Sequence, residues 1–468
     1  MSPLLTCQSV VVKPLAFAVL LAMSGCTLGP SYERPEVNTG AAYQALNGWQ
    51  VAGQVPAVAE NWWLLYQAPE LNQLMQQLDQ QNLSLQAAEA AWREARALVG
   101  GSRAQLYPSV DGRVNASRSS RNEAVSESKE VALGLSWQLD LWGKIRRQVE
   151  ASTANLQASA ADWAAIKLSL RTELAQNYLN LHITDQQLGL YQQTLDSYRR
   201  ALTMTEKRYQ AGLVTKADVS QALTQLNNAK AQQLELSWQR NRYQNAIARL
   251  VGLPPSAVQL SPQLHKLAVP AAPKELPANL LQRRPDIAVA EARVKAANAE
   301  IGVAQAAYFP DLTLSASLGY QSESLAHWIS SPNRVWSLGP AFAMALFDAG
   351  ARKAKVEQAE ARYDQVVANY RLAVLNALVE VEDLLAQLSM LQASLGVQRQ
   401  ALAASQETLR INTNQYQAGL VDYLSVSSAQ TAVLNSERSL LSTQANYLIA
   451  VAQLMSALGG GWDLTGEL

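Results

Sequence analysis

The feature that most limits how this chain can fold is that it repeats itself. Tyr209-Gln-Ala-Gly212-Leu-Val returns 207 positions later as Tyr416-Gln-Ala-Gly419-Leu-Val. Gly143 with Gly350, and Glu173 with Glu380, keep the same offset of 207. Upstream the offset is 202, matching Tyr107-Pro108 to Phe309-Pro310 and Glu89 to Glu291. The body is therefore a tandem duplication whose second copy carries five extra residues in one segment. A chain of 468 residues would by length alone suggest about two to four domains. A repeat this long is no solenoid unit, so the two similar halves must build one architecture.

Each half reads as long helices. Residues 70–105 place Leu71, Leu74, Leu78, Leu85 and Ala88 at helical spacing, and Pro108 ends the pattern. Residues 144–210 hold no Pro and one Gly, Gly189; a helix that long spans roughly 100 Å. A third helix, 216–251, stops at Gly252-Leu-Pro254-Pro255. The first and third together match the second in length, so two short helices can stack end to end beside one long one. The second half repeats the scheme over 284–307, 351–417 and 424–457. Ala151, Ala154, Ala158, Ala161 and Ala165 permit close packing. These helices are too polar to span lipid, which leaves a coiled coil or helical array. Between the halves, the Pro-rich stretch 253–283 excludes a long helix and is expected to cross the outside of the body.

Between Pro108 and Gly143 the period changes to two. Val110, Gly112, Val114 and Ala116 alternate with Asp111, Arg113, Asn115 and Ser117; a polar loop, Arg118 to Glu130, follows. Val131, Leu133, Leu135, Trp137 and Leu139 then alternate with small and polar residues. The second half offers Leu312, Leu314, Ala316 and Leu318, and a weaker strand near 338–347 that carries Pro340. Strands of about 9–11 residues with one apolar face fit a transmembrane β-barrel, although an amphipathic hairpin on a soluble core has the same pattern. Four strands cannot enclose a useful lumen, and a membrane tolerates no open edge, so spanning strands require several chains to share one barrel.

At the N-terminus, Lys13 precedes the apolar run Pro14 to Met23, then Ser24-Gly25-Cys26. That is a secretory signal over 1–25, too short for a transmembrane helix. A Cys directly after Ser-Gly looks like a bacterial lipoprotein cleavage site, with Cys26 acylated as the first residue. Thr27, by resemblance to enterobacterial lipoproteins, implies sorting to the outer membrane. Removal of 1–25 also removes Cys7, so no disulfide framework remains. Residues 26–65 read as a lipidated tether that ends on Trp62-Trp63, a core aromatic pair.

These segments together resemble the outer-membrane efflux proteins, the TolC-like lipoprotein channels of Gram-negative exporters. The resemblance rests on Cys26-Thr-Leu-Gly-Pro-Ser-Tyr32-Glu-Arg-Pro35, Trp62-Trp63, Tyr107-Pro108, Leu139-Asp140-Leu141-Trp142-Gly143-Lys144, and Tyr209 through Val219. It continues through Leu281-Gln-Arg-Arg-Pro285-Asp286-Ile287, Phe309-Pro310, Phe347-Asp348-Ala-Gly350 and Tyr416 to Leu424, in order over nearly the whole mature chain. It implies a membrane α+β fold: a homotrimer whose twelve strands, four per chain, form one barrel continuous with a periplasmic α-helical barrel. The helical barrel would use 66–107 and 144–252 from the first repeat, and 284–309 and 350–457 from the second. The β-hairpins would be 108–143 and 310–349, the equatorial linker 253–283 and the tail 458–468. The implied function is a passive, gated duct of a tripartite pump for drugs or other small toxic compounds. Its partners would be a periplasmic adaptor, an inner-membrane transporter of the RND type and outer-membrane lipid. A type I protein-secretion duct, a substrate-specific porin and a periplasmic scaffold are the alternatives.

Placed on that plan, Gly212 and Gly419 are helix–helix turns at the periplasmic tip. Arg208, Tyr209, Thr215 and Asp218 surround the first turn, and Tyr416 and Asp422 the second, as adaptor-docking candidates. Thr215 and Asp218 also fit a capping box. The family's inward gate positions fall on Leu424 and Ser428, where relatives often carry Leu and Asp; the missing carboxylate weakens any charged constriction here. Arg283 and Arg284 precede Pro285-Asp286, a conventional helix start. Trp142 is implied near the barrel–helix junction, and Trp336 is a candidate for the membrane interface.

Catalytic chemistry is not indicated. His182, His265 and His327 make no ligand-spaced motif, and His182 reads as a helix-surface residue. No phosphate loop is present. With charged residues at 16% and net charge zero, nothing points to nucleic acid. The reading is of a non-enzyme without cofactor, apart from a lipid on Cys26.

Overall fold

A computed structural model describes residues 27–37, 50–52, 60–121, 124–265, 267–268, 270, 275–277, 283–324 and 328–462. The expected signal, Cys26 and His327 lie outside the described residues. The elements run β1 (Gln50–Ala52), α1 (Pro69–Gln81), α2 (Leu83–Ala104), β2 (Ser109–Arg121), β3 (Ala124–Leu139), α3 (Lys144–Gln210) and α4 (Lys216–Leu250). There follow β4 (Glu275–Pro277), α5 (Pro285–Ala306), β5 (Asp311–Ser322), β6 (Arg334–Ala343), α6 (Ala351–Gln417) and α7 (Tyr423–Ala457). The duplication is exact in the long helices: α3 and α6 are each 67 residues, and α4 and α7 are each 35. Two compact units form. One gathers Ala90–Ala161, Ile287–Ala373 and the N-terminal residues to Val37; the other gathers Asn38–Glu89, Asp162–Asp286 and Val374–Leu468.

The first unit holds an antiparallel sheet of order β2-β3-β5-β6. Its register stacks Val110 on Leu135, Leu133 on Leu318, Leu318 on Trp336 and Leu312 on Phe342. Because side chains alternate along a strand, that register gives one face to apolar residues. Within one chain this face is bare: Val114 is 74% exposed, Trp336 71% and Phe342 69%. The opposite face pairs polar groups, as in Ser317 Oγ with Ser337 Oγ at 2.8 Å and Gln138 Nε2 to Asp311 Oδ1 at 2.9 Å.

Two strand expectations are corrected. The stretch 118–130 is not a loop, since β2 runs to Arg121 and β3 begins at Ala124. There the apolar alternation ends, and cross-strand polar pairs carry on: Ser119 Oγ lies 2.9 Å from Ser126 Oγ, and Arg118 lies 3.6 Å from Glu127. The last strand spans Arg334–Ala343, not 338–347. Pro340 lies within this strand, opposite Leu314 of β5.

The second unit holds the main core. Trp62 and Trp63 sit in a short 3-10 turn with Tyr66 and are buried, as expected, against Leu174, Leu385 and Leu454. Tyr66 donates to Leu448 O at 2.8 Å, so its burial strands no polar group. Each such large side chain contributes about 1.5–3 kcal/mol. Arg171 lies 4.9 Å over the Trp63 ring and pairs with Asp79 at 2.6 Å.

The expected single helix over 70–105 is two helices broken at Asn82, whose ψ is 123°. Asn82 is buried; its Oδ1 accepts from Leu85 N at 2.9 Å and its Nδ2 donates to Leu250 O at 2.7 Å. One carboxamide thereby caps the start of α2 and serves the end of α4. His182 is also corrected: it is 2% exposed, not on the surface. Its Nε2 donates to His265 O at 2.7 Å, and burial pushes its pKa down. That bond helps to hold the linker on α3, as does Asp185, which pairs with Arg240 at 2.5 Å and accepts from Gln263 N.

Candidate functional site: the paired turns

The repeated Tyr-Gln-Ala-Gly-Leu segment is a helix stop, made twice by the same hydrogen bonds. Gly212 N donates to Tyr209 O and Leu213 N to Arg208 O; Gly419 N donates to Tyr416 O and Leu420 N to Gln415 O. This is the Schellman closure, which requires a left-handed residue after the helix. Gly212 has φ 71° and Gly419 φ 77°, with open space around both, so backbone conformation alone calls for glycine.

The helices that leave the two turns start differently. Thr215 caps α4 in a full capping box: Thr215 N donates to Asp218 Oδ2 at 2.8 Å and Asp218 N to Thr215 Oγ1 at 3.4 Å. Asp422 caps α7, accepting from Ser425 N at 3.0 Å and Ser425 Oγ at 2.8 Å. The Ser425 bonds hold the exposed Asp422 carboxyl below the usual Asp range.

The candidate residues divide into those brought together and those left apart. Arg208 does not stay at its own turn. Its guanidinium lies 4.5 Å over the Tyr416 ring and donates to Tyr416 O at 3.4 Å, tying the two repeats. Tyr416 meets Tyr423 edge-on at 5.8 Å, and both pack with Ala222 and Val426. Burial pushes the Tyr423 hydroxyl up to about 12. Tyr209 is 45% exposed and takes no part in this tie. Leu424 (56% exposed) and Ser428 face away from it together, one helical turn apart.

The centre of the tie is a residue that sequence reading misses. Gln225 is buried and receives Ser427 Oγ at 3.0 Å and Tyr423 Oη at 3.4 Å on its Oε1. Its Nε2 donates to Ser427 O at 3.2 Å and Thr431 Oγ1 at 3.4 Å. The only local signal is a polar residue on the stripe Ala222, Leu226, Ala229.

A second site of interest is the described start of the chain. Leu28 N donates to Trp142 O at 3.3 Å. Arg147 donates to Leu28 O (2.9 Å), Gly29 O and Pro30 O, and Asn298 Nδ2 to Pro30 O at 3.0 Å. Gly29 lies so close to Gly302 that a Cβ on it would come within 2.5 Å of the Gly302 Cα. Arg34 closes the segment on Glu291 at 2.9 Å. Thr27 is thereby set beside Gly143, at the junction of strand and helix where Trp142 Nε1 donates to Pro310 O at 2.8 Å. Arg284, just before α5, pairs with Asp286 and Glu380 at 2.8 and 2.7 Å.

Among the described residues, no group of three or more His, Cys, Asp or Glu side chains could hold a metal ion, and no helix is long and apolar enough to cross a membrane. The parts instead define one share of a duct: a four-stranded sheet with a bare apolar face, and 67-residue helices that turn at paired stops. The chain belongs to the outer membrane efflux protein family, whose profile matches residues 74–253 and 276–460. It is 31% identical to the solvent efflux pump outer membrane protein SrpC of Pseudomonas putida, over 97% of this chain and 99% of that one. It is 29% identical to the cation efflux system protein CusC of Escherichia coli O6:H1, over 96% and 99%. Its fold matches the open-state MtrE outer membrane channel of Neisseria gonorrhoeae with TM-score 0.83 at 29% identity, covering 94% of this chain and 99% of that one. The chain is thus a transport protein, not an enzyme, with the TolC-type architecture.

Proposed function

We propose that three copies of this chain form the outer-membrane exit duct of a tripartite efflux pump. The observation that carries this is the sheet. Its four strands expose one continuous apolar face and end in two unpaired edges, β2 and β6. Three such sheets joined edge to edge give a closed twelve-stranded barrel, the form a bilayer accepts. The long helices continue the duct through the periplasm to a periplasmic adaptor and an RND-type inner-membrane transporter, which supplies the energy. The cargo is small toxic compounds; the named relatives serve solvent and cation efflux. Deletion in the host, scored against antibiotics, solvents, biocides and metal ions, tests this. Raised susceptibility is expected; unchanged susceptibility with loss of a secreted protein overturns it.

Three finer assignments belong to this reading. Cys26 carries the lipid anchor, supported by the clamp that sets Thr27 at the strand–helix junction; two or more acyl chains make such an anchor stable. The turns at Gly212 and Gly419, with Arg208, Tyr209, Thr215, Asp218, Tyr416 and Asp422, form the adaptor-docking tip. Leu424 and Ser428 form the gate, supported by their shared exposed stripe. A ring built on Leu424 without a carboxylate closes by apolar packing. Leu424→Ala should therefore raise single-channel conductance in a planar bilayer by about twofold or more, and no increase removes the gate from this position.

A further inference from the structure

The last three turns of α3 carry a face that the other repeat does not reproduce. Arg199, Arg200, Met204, Lys207 and Arg208 line a groove that ends at Leu213 in the turn. Met204 is 46% and Leu213 71% exposed, so the groove joins apolar surface to cations. At the matching places of the second repeat, 207 positions on, stand Gln406, Glu407, Ile411, Asn414, Gln415 and Leu420. The apolar positions persist while the cationic character is lost.

The chain itself does not neutralise this face. Arg199 pairs with Asp196 at 2.6 Å, and Arg208 is turned onto Tyr416. Arg200 and Lys207 are exposed and, among the described residues, have no acidic partner. The helix dipole favours cations in the last turn, which accounts for Lys207 and Arg208 but fades before Arg200. Most acidic residues near the turns are already engaged within the chain. Asp218 and Asp422 are caps, Glu407 pairs with Arg410 at 2.7 Å, and Glu437 accepts from Gln406. Glu206 is the one acidic residue left over between 196 and 222 or between 403 and 440.

We infer that the first-repeat groove receives an acidic helical segment of the periplasmic adaptor, with carboxylates for Arg200 and Lys207 and an apolar side chain between them for Met204 and Leu213. Arg200 and Lys207 stand seven residues apart, roughly 10 Å along the helix axis; the partner's carboxylates are spaced to match, about two turns apart. The second repeat has no cationic counterpart at the matching positions. This rests on the duct reading given above and names the chemistry of its partner.

The test titrates the purified full-length channel in detergent with the purified adaptor of its own host pump, at about 50 and about 300 mM salt. Arg200→Glu with Lys207→Glu should weaken binding at least about tenfold and abolish its salt dependence. Arg200→Gln with Lys207→Gln should give a smaller loss of the same sign. Adaptor affinity that is equal in parent and charge-reversed channel overturns the inference and leaves the duct reading standing. Equal affinity with loss of the trimer assigns the face to a neighbouring copy and likewise overturns it. Charge-dependent binding of peptidoglycan fragments, with adaptor affinity unmoved, overturns it in favour of an anionic polymer. A parent channel that does not bind the adaptor at all rejects the duct reading itself.

Discussion

The turn at Gly212 and the turn at Gly419 close with the same pair of backbone hydrogen bonds and nearly the same φ. Beyond that they part. The first starts its outgoing helix with a Thr215–Asp218 box, the second with Asp422 alone on Ser425. The first sends Arg208 across to the second, and the second sends Tyr423 and Ser427 back to Gln225 on the first repeat's α4. Backbone geometry admits one solution for so tight a stop, so duplication preserves it. Side chains around it answer only to local hydrogen-bond needs and to neighbours, so they diverge. Two equal turns have become two halves of one tie, each supplying what the other lacks.

The sharpest way to break this comparison is at its shared centre. Gln225→Leu leaves the buried Tyr423 and Ser427 hydroxyls without their acceptor, which should cost about 2–4 kcal/mol. Hydrogen exchange should then rise in both turns together; a rise confined to α4 would show that the repeats are not tied there. The glycines test where the turns are alike. Gly212→Ala and Gly419→Ala should each cost about 1–2 kcal/mol from left-handed strain, and by the same amount, because neither site is crowded. Thermal unfolding in detergent distinguishes equal from unequal losses.

The smallest effect tests where the turns differ. Asp422 has a depressed pKa in the folded chain, so its cap contributes fully above the ordinary Asp range and is lost as pH falls through the folded value. Protection of the Ser425 amide should hold above about pH 4 and decline below it. Asp422→Asn should keep the cap, since an amide oxygen accepts the same bond, and flatten the dependence.

Much of this was legible from local signals. The 67-residue helices were marked by the absence of proline and by the stop glycines, and the start of α4 by the capping residue Thr215, all short-range effects. What escaped was set by distant partners. Asn82 sits among good helix formers, and it breaks the helix because its carboxamide reaches Leu250 O, 168 residues away. Strand 118–121 and its partner continue past the apolar band on polar cross-strand pairs, which carry no apolar period. Gln225 and Ser427 are 202 residues apart, so neither one's environment reveals the other. In the candidate site, the glycines and the Thr215–Asp218 cap were readable from spacing. The crossing of Arg208 to Tyr416 was not, because it depends on how the repeats pack.

The unpaired edges of the sheet have a genetic consequence. A chain whose β2 and β6 cannot bond to themselves contributes to a barrel only as one of three obligate shares. Damage to an edge is therefore only weakly rescued by a healthy second gene copy. If half of the chains in a cell carry a blocked edge and mix at random, only about one-eighth of three-chain barrels are free of them. Such an allele behaves as a dominant poison, while a null allele of the same gene is recessive.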